Sequence, residues 1–178
     1  MILTRQQIPY FLGLATLITF FLWTDVHVFL TLLILILIGS ISLLYKIFVN
    51  IPLGFELVTL VTVLAGSGIS AKAGLLVGIV TPLLGLSLAL KTFKNPSDTL
   101  LNMVFMGLIG YLAGFVPTHA IAGGGFFLTI LFDALYLPTR YLISPNISKY
   151  LFYIMGHWLF NYTLFRALGP LGIRLVTP

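Results

Sequence analysis

The chain has 178 residues, 60% of them hydrophobic and only 7% charged, with no cysteine and a formal net charge of +5. Soluble domains carry about a quarter charged residues, so a water-facing globular surface is excluded and an integral membrane protein is indicated. The nine basic residues are scattered between apolar runs, which is an orientation signal in a bilayer and not a nucleic-acid surface.

No linker or low-complexity tract divides residues 1–178, so a single all-α domain is expected, a polytopic helical bundle of six or seven spans. No small-x-small site closes the apolar run after Arg5, so no cleavable signal peptide is expected. The first apolar segment, Pro9 to Trp23, is short. The polar turn Thr24-Asp25-Val26-His27 joins it to a second, Val28 to Phe48, completing an N-terminal hairpin over 9–48. Leucine and isoleucine from Leu30 to Leu44 leave that helix almost free of polar groups, as a lipid-facing surface requires. A third segment runs from Leu53 to Ala65 or slightly beyond, a fourth from Ala73 to Leu90 and a fifth from Leu100 to Val116. The sixth covers Gly125 to Leu137 and the last Tyr150 to Leu168. Segments one, three and six fall short of the roughly 20 residues that a straight span needs. Tilt, bilayer thinning or a re-entrant course each account for that.

If all seven cross, Arg5, Lys46, Lys91, Lys94, Arg140 and Lys149 share one side, with Lys72, Arg174 and Arg166 on the other. Basic loops stay in the cytoplasm, so the N-terminus is expected inside and the C-terminus outside a plasma membrane. A six-span course would instead leave both termini on one side.

Polar residues inside such segments are costly and mark sites. Glu56, Thr59 and Thr62 recur at helical spacing in segment three, so one face carries a carboxylate and two hydroxyls suited to a cationic or hydrogen-bonding solute. The competing reading pairs Glu56 with Lys46 or lets it reach the interface. In Gly156-His-Trp-Leu-Phe-Asn-Tyr162, His157 and Asn161 stand four apart and face the bundle, beside Trp158. Together they offer donors and acceptors to a ligand, or join helices by hydrogen bonds. Asp133 is expected in a loose pair with Arg140, and Asp98 and Asn102 at the start of segment five act as caps. Residues 117–125 read as a flexible loop, with His119 exposed and Gly123, Gly124 and Gly125 forming a gate or a turn.

Enzyme motifs are weak. Ala65-Gly-Ser-Gly68 with His157 approaches the Gly-x-Ser-Gly of rhomboid proteases, but the leading glycine is alanine. Three isolated histidines and four acids show no metal-ligand spacing, so neither catalysis nor a cofactor is expected.

Val63-Leu-Ala-Gly66, Gly74-Leu-Leu-Val-Gly78, Gly110-Tyr-Leu-Ala-Gly114 and the polar stretch from His157 to Asn161 follow one another in a familiar order. In it, residues 50–170 resemble the substrate-binding S-components of energy-coupling factor vitamin transporters. The resemblance implies a membrane-embedded subunit that takes up a vitamin or vitamin precursor, with Glu56, Thr59, Thr62, His157, Trp158 and Asn161 lining the site. It also implies a transmembrane coupling subunit and ATPase subunits as partners, since the chain has no Walker motif. The fold is similar to that of the rod-shape morphogenesis MreD proteins too, which implies a non-catalytic scaffold. A carrier should enclose a polar-lined cavity; a scaffold should have these residues mated to one another.

Overall fold

The computed structural model describes residues 25–48, 54–89, 96–143 and 147–177, and within them the chain is all-helical, with short links and no strand. The segment expected from Pro9 to Trp23 lies outside the described residues, as do Lys91 and Lys94. The helices are α1 (Val26–Ser42), α2 (Tyr45–Phe48), α3 (Val58–Gly68), α4 (Ala71–Leu88), α5 (Pro96–Ala113), α6 (Ile121–Ile143), α7 (Ile147–Ala167) and α8 (Gly169–Val176). A 3-10 turn, Thr118–Ala120, leads into α6. Among the described residues three stretches are long and apolar enough to cross a membrane: Val26–Phe48, Ala71–Leu88 and Thr118–Leu142.

The centre of the bundle is a contact of bare backbones. A Cβ placed on Gly110 of α5 would run into the Gly74 carbonyl oxygen of α4, and one on Gly74 would strike the Gly110 carbonyl. Gly66 of α3 lies against Gly110 and Ala113, and Gly78 of α4 against the Met106 carbonyl. Small residues permit this approach, and dispersion between the touching backbones holds helices together where lipid removes the hydrophobic driving force. Ser67 donates to the Ala113 carbonyl at 2.8 Å, a second bond to an oxygen that also accepts from the Val116 amide at 3.0 Å, and so ties α3 to the end of α5. The α3–α4 turn is tight because the Ser70 side chain caps α4, accepting from the Ala73 amide at 3.2 Å.

Around this core α1 packs on α3 and α4. The Ser40 hydroxyl donates to the Thr81 carbonyl at 3.2 Å, next to Pro82 inside α4. The opposite face of α1, with Leu30, Ile34, Leu37 and Ile41, is exposed, as expected of a lipid-facing surface.

Several boundaries differ from the sequence expectation. The sixth segment is not short: α6 has 23 residues and continues through Pro138. Residues 121–125 are its first turn and a half, not a loop, so of the expected loop 117–125 only 117–120 is non-α-helical. Its glycines are there for packing, since a Cβ at Gly125 would enter the Phe165 ring of α7 and one at Gly124 would meet Val116. The third segment is short as expected, at 11 residues. After Leu168 the chain turns into α8, which the sequence reading did not separate; its Ile173 and Val176 are buried, and Val176 lies beside Gly68.

Candidate functional site

Glu56 does not lie on the helix that carries the threonines. α3 begins at Val58, so Glu56 stands in the non-helical approach to it, while Thr59 and Thr62 are buried within the helix. That approach is held at both ends. Gly54 has φ of 72°, a left-handed conformation that favours glycine, and a Cβ there would collide with the backbone of His157. Two residues on from Gly54, Glu56 is followed by Leu57, whose amide donates to Ser42 Oγ at 2.9 Å. Ser42 Oγ in turn donates to the Gly39 carbonyl at 2.6 Å.

So fixed, Glu56 is 3% exposed and its Oε2 lies 2.6 Å from Lys46 Nζ on α2. The ion pair with Lys46 is the alternative that the sequence reading left open. Behind it lies a chain of buried polar groups. The Thr59 hydroxyl and His157 Nε2 are 3.3 Å apart, and His157 Nδ1 lies 2.9 Å from Asp133 Oδ2. Trp158 Nε1 donates to the same oxygen at 2.8 Å. Asp133 is 1% exposed, and Thr59 and His157 are fully buried. The His157 ring stacks on Tyr153 at 5.0 Å and meets the edge of Phe132 at 6.1 Å. A carboxylate on Nδ1 orients the imidazole and directs Nε2 to the hydroxyl, so the carboxylate, ring and alcohol form one ordered relay.

Asp133 is therefore a hub of the cluster and not the partner of Arg140, as the sequence suggested. Arg140 Nε instead lies 2.5 Å from Asp98 Oδ1, across α6 and α5. Two turns of helix separate Asp133 from Arg140, and the neighbouring helices supply nearer partners for each. Asn102 does not cap; its Nδ2 donates to the Asp98 carbonyl at 2.9 Å and to the Tyr136 hydroxyl at 3.3 Å.

Of the six candidate residues, Thr59, His157 and Trp158 come together with Asp133, and Asn161 lies one turn along α7. Its Nδ2 donates to the His157 carbonyl at 2.9 Å, while its Oδ1 is buried without a protein partner. The Thr62 hydroxyl and Asp133 Oδ1 are likewise buried and unpartnered. Trp158 is only partly enclosed, at 38% exposure. His119 is exposed, on the 3-10 turn. Ser67 and His157 are not paired: the serine holds Ala113 and the histidine holds Thr59 and Asp133. Among the described residues no group of three or more histidines or acids could hold a metal ion.

The sequence reading missed Asp133 as a member of the cluster core and offered Lys46 as the alternative partner of Glu56. A lone acid in an apolar segment was the available signal for Asp133. Its partner had to come from another helix, which local spacing does not reveal. A separate feature is an apolar groove of about 390 Å³ between α1, α3 and α8, lined by Ile34, Ile38, Leu60, Leu64, Leu171 and Leu175 among others. No protein-family model, curated protein or solved structure matches the chain.

Proposed function

We propose that this protein is a membrane-embedded binding subunit for the uptake of a small solute, with Glu56, Thr59, Asp133, His157, Trp158 and Asn161 as the site. The observation that carries the reading is the set of unpartnered buried acceptors, Asp133 Oδ1, Asn161 Oδ1 and Thr62 Oγ1. A buried acceptor left open costs about 1–3 kcal/mol, so folding alone gives no reason to keep three. A solute carrying hydrogen-bond donors supplies what they lack.

The proposed mechanism is capture from outside and release inside, by a bundle of six or seven spans in the plasma membrane with a cytoplasmic N-terminus. A vitamin or vitamin precursor is the substrate class, and a transmembrane coupling subunit with ATPase subunits supplies the energy. No chemical step is assigned to the chain.

A second reading, a non-catalytic membrane scaffold, is favoured by a different observation. Glu56 with Lys46, and Thr59 with His157 and Asp133, are mated to one another. Replacement of Glu56 and Asn161 by alanine separates the two readings. The carrier loses solute uptake while the variants still fold and reach the membrane; unchanged uptake sinks the site assignment.

A further inference from the structure

The open polar atoms of the cluster share one character. Asp133 Oδ1 and Asn161 Oδ1 can only accept, the Thr62 hydroxyl can accept, and no buried side-chain nitrogen is left over among the described residues. Charge points the same way. The carboxylates of Glu56 and Asp133 are both buried; Lys46 pairs with Glu56, and Asp133 lies against the His157 ring and not against a lysine or arginine. Arg140 is engaged with Asp98.

Lys46 is also the member of the cluster best able to leave. Its side chain is 21% exposed against 4% for Glu56. It sits on the four-residue α2, which buries none of its residues and also carries the exposed Ile47 and Phe48. A lysine at such a place can swing its ammonium into water along its apolar stem. Glu56 cannot follow, because Gly54 is seated on His157 and Leu57 is tied to Ser42.

We propose that Lys46 is an internal stand-in for the cationic group of the solute. A primary ammonium, or a cation similarly rich in N–H donors, replaces Lys46 on Glu56, and further donors of the same solute meet the open acceptors of Asp133 and Asn161. The inference rests on the carrier reading and names its substrate class: small organic cations that bear N–H groups. It makes Lys46 a competitor of the solute, so neutralising Lys46 strengthens cation binding, whereas a lysine that helped to hold a solute would weaken it when removed.

The full chain in lipid nanodiscs, carrying Trp23→Phe so that Trp158 is the sole reporter, is titrated with propylammonium. Fluorescence should yield a dissociation constant about tenfold lower in Lys46→Met than in the parent. Tetramethylammonium, equally charged but without N–H, should bind about tenfold more weakly than propylammonium. Lys46→Arg, which keeps the cation and grips a carboxylate with two N–H groups, should weaken propylammonium and covers the case in which Lys46→Met does not fold. Equal or weaker binding in Lys46→Met, equal binding of the two cations, or no response to propylammonium overturns the proposal. If Glu56→Ala and Asn161→Ala still abolish uptake in that event, the carrier reading stands and only the exchange of Lys46 falls.

Discussion

Asp133 takes both of its hydrogen bonds on one oxygen, from His157 and from Trp158, and both donors sit on adjacent positions of α7. Removal of the carboxylate strands a fully buried imidazole and an indole N–H together. Asp133→Ala should therefore cost about 3 kcal/mol, more than a single hydrogen bond between membrane helices provides. Trp158→Phe removes one donor from a half-exposed position and leaves the contact between His157 and Asp133 intact, so it should cost about 1 kcal/mol. Thermal unfolding in detergent micelles compares the two, and equal losses would contradict the role of Asp133 as hub. Part of this site was legible beforehand. His157 and Asn161 stand out as polar residues one turn apart in an apolar helix, and Glu56 and Thr59 as polar residues in an apolar run. That His157 bridges Thr59 and Asp133 was not legible, because the groups are 98 and 24 positions away in the chain and only tertiary packing brings them together.

Helix packing is read from small residues, and here the glycines divide into two kinds. Gly74 and Gly110 face each other's carbonyls, so a methyl group on either pushes α4 and α5 apart. Gly123 of α6 has nothing within 4 Å of a Cβ built on it. Gly110→Ala should lower stability by about 2 kcal/mol or more through overpacking. Gly123→Ala should raise it by up to about 1 kcal/mol through helix propensity. Thermal unfolding of the two variants checks the sign difference; a neutral Gly110→Ala would mean that these helices are not in backbone contact. The spacing of glycines at 66, 74, 78, 110 and 114 made close helices legible in the sequence. The run at 123–125 misled, because consecutive glycines suit both a loop and a helix that must lie against an aromatic ring. The Phe165 ring that decides between them is on another helix. α8 was hidden for a related reason: its eight residues follow α7 after a one-residue break and carry both glycine and proline.

At the scale of the whole molecule, contacts sort the charges onto two ends. Leu43 of the α1–α2 turn lies by Gly85 near the end of α4, and Arg140 meets Asp98 at the start of α5. At the other end Ala71 lies by Gly114, and Gly68 by Val176. Lys46 and Arg140 thus belong with one end of the bundle, Lys72 and Arg174 with the other. This is the division that loop alternation suggests. Because the chain has no cysteine of its own, single cysteines can report it cleanly. In sealed, right-side-out vesicles a membrane-impermeant maleimide should label Lys72→Cys and Arg174→Cys and spare Arg140→Cys; labelling of all three would contradict the proposed orientation.

Whether the buried cluster holds a solute is tested most directly by native mass spectrometry of the full chain released from lipid nanodiscs, compared with Asn161→Ala. The unchanged chain should retain a non-lipid small molecule, and Asn161→Ala, equally folded, should lose it. A chain that carries only lipid or a protein partner, or an Asn161→Ala variant that keeps the same molecule, would contradict a binding site at Glu56, Asp133, His157 and Asn161.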